Sequence, residues 1–234
     1  MPLQRRDCLT CIARGPDCFC HLPHEALRDL QGLGRNVVLS KGQQLMHEGD
    51  EAEQVYMVCA GHLKLYASSA DGKVLLLRMA GPGDVLGLAS AIRGTQQKLT
   101  VEALEPCEVK SVRKPEFLRF AEKYREAGKN IANATAKEYE TALVSARRLA
   151  LSGSASAKLA SLLFELAQLN GHDTKANAVE IPMPLTHEEL GSMCGISRET
   201  VTRTLTRFAA EGSVEQLPGR LVVRDLPALE AHFS

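Results

Sequence analysis

The spacing of apolar residues changes along the chain, and each change marks a different kind of element. From about Glu25 to Arg113, short apolar runs alternate with Gly-rich turns at Lys41-Gly42, Glu48-Gly49-Asp50, Ala60-Gly61, Asp71-Gly72 and Gly81-Pro82-Gly83-Asp84. The runs between them, residues 54–58, 63–66 and 74–79, are rich in Val, Leu, Tyr and Met, a composition that suits half-buried strands. Asp71-Gly72 between two such runs predicts a tight hairpin, because both residue types tolerate the positive φ of a hairpin turn. The pattern therefore predicts a small antiparallel β-roll over residues 25–125, preceded by a segment, residues 1–24, with no clear period.

Period two then gives way to helical spacing. Lys114-Pro115-Glu116-Phe117 predicts a helix start, with proline in the first turn where its missing N–H costs least. Residues 129–151 contain neither Gly nor Pro, and Ala132, Ala136, Tyr139, Leu143, Ala146 and Ala150 follow the alternating four-three spacing of a coiled-coil seam. That spacing suits a dimer seam formed with a second copy; it also suits one helix lying against its own β-roll. Residues 126–152 are thus read as a dimerisation helix ending in a hinge at Ser152-Gly153-Ser154. A last compact module covers residues 153–234. It opens with a helix at 157–170 that carries Leu159, Leu162, Leu163, Leu166 and Leu169 on one face and stops at Gly171.

The densest local chemistry lies between Leu185 and Phe208. Thr186-His187-Glu188-Glu189 has the form of a capping box, in which the Thr hydroxyl and the Glu carboxylate take up unsatisfied N–H groups. Cys194-Gly195-Ile196 supplies a tight turn, and Ser197 caps a second helix through its side-chain oxygen. Val201, Leu205 and Phe208 make an inner stripe on that helix, while Arg198, Glu199, Thr202 and Arg203 occupy another face near its start. This is where a recognition helix meets base edges in the major groove. Arg presents paired donors to guanine O6 and N7, and Glu accepts from cytosine N4. Thr186, His187, Ser197 and Thr200 are placed to hold DNA phosphates. The stretch 217–223 reads as a β-wing with Arg220 at its tip. An ordinary amphipathic helix with a solvated charged face would share some of these features, but not their order.

Charge adds little to this picture. Lys and Arg (28) balance Asp and Glu (28), yet a DNA reader needs only local positive charge on its docking face. No apolar run approaches the length of a membrane span, which needs roughly 18 residues or more, and no signal-peptide core is visible, so a cytoplasmic protein is expected. No P-loop, dinucleotide fingerprint or nucleophile motif appears, so no enzyme is expected. The seven cysteines change more, because four of them, Cys8, Cys11, Cys18 and Cys20, crowd the first twenty residues. In a reducing cytosol such clusters hold metals or sense redox state more often than they form disulfides. Cys8-x-x-Cys11 lets two thiolates face one metal from a single turn, and thiolates hold iron–sulfur clusters and zinc alike. Cys59, Cys107 and Cys194 sit among apolar neighbours and are expected to be small core residues. Haem ligation by His21, His24 or His47 is a weaker alternative.

Residues 185–190 (Leu-Thr-His-Glu-Glu-Leu) with residues 195–203 (Gly-Ile-Ser-Arg-Glu-Thr-Val-Thr-Arg) resemble the reading head of the CRP/FNR superfamily, the cyclic-AMP receptor protein and the oxygen-sensing fumarate-nitrate regulator. Lys41-Gly42-Gln43, Glu48-Gly49-Asp50, Val58-Cys59-Ala60-Gly61 and Gly83-Asp84-Val85-Leu86-Gly87 fall in the order of that family's β-roll, so the resemblance covers nearly the whole chain. It implies an α+β fold: a cyclic-nucleotide-binding-like β-roll, a long dimerisation helix and a winged helix-turn-helix. It implies a homodimer on a double-stranded DNA operator, in contact with RNA polymerase, reading TGTGA-like inverted repeats with Arg198, Glu199 and Arg203. The cyclic-AMP clamp is not matched. Leu88 stands where that pattern has a Glu, and Gln97 and Lys98 stand where it has an Arg-Ser pair, so cyclic nucleotide is not expected. The oxygen-sensing members carry an N-terminal Cys-x-x-Cys with a third Cys soon after, which points to a 4Fe–4S cluster on Cys8, Cys11, Cys18 and Cys20. The family's further ligand comes from the β-roll and aligns near Lys110, not at Cys107. Oxygen, nitric oxide, thiol redox with or without zinc, and a small ligand in the roll all remain open as the signal.

Overall fold

The computed structural model describes residues 7–12, 14–174, 178–182 and 185–233, so the first six residues of the cysteine-rich segment lie outside the description. The chain divides into two compact units. One comprises residues up to Ala67 together with Arg78–Thr141, and the other comprises Ser68–Leu77 together with Ala142–Ser234. Residues 68–77, expected inside the β-roll, group with the C-terminal unit.

The first unit starts with helix α1 (His24–Gly32), within the stretch expected to be strands from Glu25 onward. Its signal is weak in the sequence because Pro23 precedes it and no side chain caps it. Its buried residues, Ala26, Leu27 and Leu30, follow the i, i+1, i+4 spacing of one helical face. The roll follows as β1 (Arg35–Leu39), β2 (Gln44–Met46), β3 (Gln54–Ala60), β4 (Leu63–Ser68), β5 (Val74–Ala80), β6 (Val85–Leu86), α2 (Leu88–Arg93), β7 (Thr100–Ala103) and β8 (Cys107–Arg113). The strands form two antiparallel four-stranded sheets, ordered β1-β8-β3-β6 and β2-β7-β4-β5. Leu39, Met46, Val58, Leu63, Leu65, Val101 and Val109 form one core cluster with residues from both sheets. Cys107 belongs to it and is fully buried, as expected of a small core residue.

Side chains alternate between the two faces of a strand, and the other face of β3 has its own core. Val55 and Met57 pack there with Phe19, Leu22, Leu27 and Leu30, and with Phe117 and Phe120 of α3 (Lys114–Lys123). The Phe19 and Phe117 ring centroids are 5.5 Å apart. Tyr124 Oη and Lys123 Nζ each donate to Asp29 Oδ2 at 2.6 Å, fastening α1 to the end of α3. The 27-residue α4 (Arg125–Leu151) follows. Its Asn130 Nδ2 donates to the Phe19 and His21 carbonyls, both at 2.9 Å, and its Glu138 accepts from Arg78 at 2.9 Å.

The second unit holds α5 (Ala155–Asn170), β9 (His172–Asp173), β10 (Val179–Pro182), α6 (His187–Cys194), α7 (Arg198–Ala210), β11 (Val214–Leu217), β12 (Arg220–Val223) and α8 (Leu226–Glu230). Its sheet runs β11-β12-β10-β9. Leu159, Leu162, Leu163, Leu190, Val201, Leu205 and Phe208 are buried in it. Arg148 of α4 is buried here and pairs with Glu165. Ser192 Oγ donates to the Val74 carbonyl at 2.6 Å and accepts from the Leu76 N–H at 3.0 Å, which ties residues 68–77 to this unit.

Phe117 is wholly buried and is the ring against which Phe19 rests. Phe117→Ala is expected to lower unfolding stability by about 3–5 kcal/mol, read from the urea midpoint at constant denaturant slope.

Candidate DNA-reading face and cysteine site

Two helices built from local capping chemistry make the reading face. Thr186 caps α6 by accepting from the Glu189 N–H at 3.2 Å, and Glu189 Oε2 accepts from the Thr186 N–H at 2.8 Å, so the capping box is complete. Gly195 ends α6 at φ +64°, a left-handed conformation that suits glycine. Ser197 then caps α7 by accepting from the Thr200 N–H at 3.3 Å. Between the helices, His187 Nδ1 and Thr202 Oγ1 lie 2.8 Å apart.

Packing decides which face of α7 is left for a partner. Val201, Leu205 and Phe208 are buried to 1% exposure or less, whereas Arg198, Glu199, Thr202, Arg203 and Thr206 are exposed. The two guanidinium groups and the carboxylate thus stand together on the first turns of α7. A hydrogen bond from the Glu199 backbone N–H and another from Ser197 hold the Glu199 carboxyl below its usual pKa, so it is an acceptor at neutral pH.

The expected phosphate contacts fare less uniformly. Ser197 and Thr200 flank the start of α7, with their hydroxyl oxygens 3.1 Å apart. The Thr186 hydroxyl is engaged with Glu189, and half-buried His187 with Thr202. Arg220 is not a free cation at the wing tip: its guanidinium binds both carboxylate oxygens of Glu180 at 3.1 and 3.2 Å. Glu180 and Arg220 come from neighbouring strands β10 and β12, a pairing that the spacing in sequence does not reveal.

On α4, Ala132, Ala136, Tyr139, Leu143, Ala146 and Ala150 are all exposed in the single chain. Tyr139 retains 66% and Leu143 44% of its accessible surface. The seam residues are therefore not spent on packing the helix against its own β-roll. In the roll, Leu88, Gln97 and Lys98 line one cavity. Leu88 and Gln97 are buried, and Lys98 is exposed.

The N-terminal cysteines lie against the outer face of the roll. The Phe19 N–H donates to Gly83 O at 3.3 Å, and a Cβ at Gly83 would approach Cys18 Sγ to 2.8 Å. Cys8 shares a cavity with Lys110, whose Nζ donates to the Gln31 carbonyl at 3.0 Å. All seven cysteines are free thiols. Cys20 donates to Cys18, which lowers the Cys18 thiol from 9.0 to about 7 and, with burial, raises Cys20 well above 9.0. Burial raises Cys194 to about 12 and Cys107 to about 11, in keeping with inert core thiols.

Cys59 corrects the sequence reading. It is half-buried, not a core residue, and burial together with Glu108, Cys8 and Cys11 pushes its thiol up to about 12. It is a neighbour of the N-terminal cysteines that sequence spacing cannot reveal, since some 40 residues separate them. The donor set, several free thiols on a short segment plus one on the roll, suits the chemistry of a thiolate-held iron–sulfur cluster or zinc ion. Among the described residues, no three His, Cys, Asp or Glu side chains already form a metal cage.

A β-roll followed by a long helix and a winged helix-turn-helix with an outward Arg-Glu-Arg face is the build of a DNA-binding transcription regulator. Residues 36–124 match the cyclic nucleotide-binding domain, and residues 157–232 match the Crp-like helix-turn-helix domain. The nitrogen fixation regulation protein FixK of Bradyrhizobium diazoefficiens is 27% identical over 96% of this chain and 92% of its own length. The cyclic AMP receptor protein of Thermus thermophilus is 26% identical over 81% and 84%, respectively. The structure of FixK2 from Bradyrhizobium japonicum aligns with a TM-score of 0.76 at 23% identity, covering 86% of this chain and 98% of that one. The chain belongs to the CRP/FNR family of transcription regulators, and its relatives are regulators, not enzymes. No helix among the described residues is long and apolar enough to cross a membrane.

The lowered Cys18 thiol sets a pH dependence. In the reduced, metal-free chain, Cys18 ionises near pH 7, so its alkylation rises through that pH and levels off above it. Cys59 and Cys194 ionise only near pH 12 and stay unmodified up to pH 9. Peptide mapping after brief iodoacetamide pulses reads both, and equal labelling of Cys18 and Cys59 at pH 8 would contradict this order.

Proposed function

We propose that two copies of this regulator pair through α4 and read an inverted-repeat operator, with TGTGA-like half-sites, through Arg198, Glu199 and Arg203 of each α7. DNA occupancy is set by the state of a thiolate-held iron–sulfur cluster, of the 4Fe–4S type, in the N-terminal segment. The observation that carries the reading is the exposed trio on the first turns of α7, opposite the buried stripe of Val201, Leu205 and Phe208. Arg198 and Arg203 donate to guanine edges, Glu199 accepts from cytosine, and the Ser197 and Thr200 hydroxyls seat the phosphate at the helix start. Lining the outward side of α4 with Ala132, Ala136, Tyr139, Leu143, Ala146 and Ala150 gives a second copy a seam to bury. RNA polymerase is the further partner once the operator is held, and the cytoplasm is the compartment.

The signal enters through Cys8, Cys11, Cys18 and Cys20. Their segment is fastened to α4 by Asn130, which holds the carbonyls on either side of Cys20. A bound iron–sulfur cluster supplies sensitivity to oxygen or nitric oxide. Those four cysteines would hold the cluster, and release of their thiolates would leave residues 18–21 held to α4 by the Asn130 hydrogen bonds alone, free to shift against it. The roll lacks the Glu and Arg of a cyclic-nucleotide clamp, Leu88 and Gln97 standing in their places, which favours the cysteines over a nucleotide as the sensor.

Arg203→Ala is expected to cost about 1–3 kcal/mol of discrimination per half-site, measured as anisotropy of labelled operator against scrambled DNA at physiological salt. Equal affinity of the unaltered protein for both DNAs, in every redox state, would remove the reading role. Protein purified without oxygen is expected to be brown and to bleach in air. Colourless protein carrying stoichiometric zinc, with DNA binding indifferent to air, would reject the iron–sulfur sensor and leave the DNA reading intact.

A further inference from the structure

We infer that His187 is a positioning residue for base recognition: its Nδ1–H holds the Thr202 hydroxyl within the protein, so that Thr202 meets the major groove with its methyl group and selects a thymine. This rests on the reading of α7 as the recognition helix, and adds to it a fourth reading position and the base that position prefers.

Thr202 stands one turn after Arg198 and next to Arg203, on the exposed side of α7. Residues four apart share a helix face, so Thr202 is offered to the same groove as the arginines. What it offers depends on its rotamer. In a helix, threonine splits between two χ1 rotamers, because its hydroxyl can turn back to a carbonyl of the preceding turn. Rotation between them moves the hydroxyl and the methyl to different places.

Two hydrogen bonds decide between them. Thr202 Oγ1 donates to the Arg198 carbonyl at 3.1 Å, one turn back on its own helix. The same oxygen lies 2.8 Å from Nδ1 of His187, on α6. A hydroxyl has a single proton. With that proton given to Arg198, the contact with His187 is a hydrogen bond only if Nδ1–H donates to the Thr202 oxygen. The relay therefore runs from His187 Nδ1–H through the Thr202 hydroxyl to the Arg198 carbonyl.

This relay joins the two helices of the reading head. His187 follows the Thr186 cap directly, so the start of α6 sets where its ring stands. The sequence suggests a phosphate contact for His187, but the relay leaves only Nε2 for one. It also engages the proton and a lone pair of the Thr202 hydroxyl inside the protein. The γ-methyl is the part of that exposed side chain that carries no polar bond. In the major groove, the base edge that matches a methyl is the C5 methyl of thymine. Taking one methyl group from water amounts to about fourfold in affinity.

The test replaces thymine with deoxyuridine, which deletes only the C5 methyl, at each thymine of a half-site in turn. The operator is one selected from random sequence by the full-length protein, and binding is read by anisotropy in the redox state that holds it. The unaltered protein is expected to lose about fourfold in affinity at one thymine of each half-site. Thr202→Ser keeps the hydroxyl and lacks the methyl, and is expected to bind thymine and deoxyuridine equally there. His187→Ala frees the hydroxyl and is expected to shrink the difference. His187→Asn, whose amide donates from nearly the same place, is expected to restore it. A histidine that only stabilises the fold would weaken both operators alike and leave their ratio untouched in His187→Ala; that result overturns the inference. So does a thymine preference that survives at full size in Thr202→Ser. Equal binding of operator and scrambled DNA by the unaltered protein would sink the α7 reading itself, whereas operator recognition indifferent to deoxyuridine at every thymine sinks this inference alone.

Discussion

The buried stripe of Val201, Leu205 and Phe208 is the constraint on which the functional account rests. A helix that commits one stripe to the core has no freedom left in how it presents the opposite side. Because those three residues are almost wholly enclosed, Arg198, Glu199 and Arg203 must face outward, and the caps at Thr186 and Ser197 fix where their helix begins. Specific base recognition needs this rigidity. A bidentate guanidinium contact is worth having only if the donors arrive already aimed.

The same logic separates the two ends of the α4 account. Its Ser145 and Arg148 are buried, whereas the four-three seam is exposed, large residues included. An alanine-rich seam leaves two backbones free to approach, but supplies little apolar area per residue. Such a pairing is suited to being altered by small forces at its ends. Asn130, one turn into α4, is bonded to the segment that carries Cys18 and Cys20. A change in thiol chemistry there has a short covalent and hydrogen-bonded path to the helix, with no need for a long-range wire.

The parts of the molecule most legible in the sequence were those whose chemistry is local. The capping box, the turn glycine and the Ser197 cap are all settled within a few residues, so their order along the chain announces the helix-turn-helix. The β-roll was legible through its turns, with Gly72 at φ +82° in the hairpin read from Asp71-Gly72. What escaped was set by distant partners. Helix α1 lacks a capping side chain and is stabilised by packing of Leu27 and Leu30 on the roll. Arg220 looked free because Glu180 lies 40 residues away and meets it only across the sheet. Cys59 looked like a core residue because its neighbours are apolar in sequence; in the fold it is half-buried, beside a register shift in β3. The hydrogen bonds of Ser192 to Val74 and Leu76, within the unit that joins residues 68–77 to the C-terminal part, likewise have no local signature.

The central claim, that a symmetric pair of α7 helices reads DNA, is tested most directly by a hydroxyl-radical footprint of the full-length protein on an operator selected from random sequence. The account predicts two protected half-sites related by a two-fold axis, with their centres about one helical turn, roughly 34–36 Å, apart. A footprint lacking two-fold symmetry, or protection that does not depend on sequence, would contradict it.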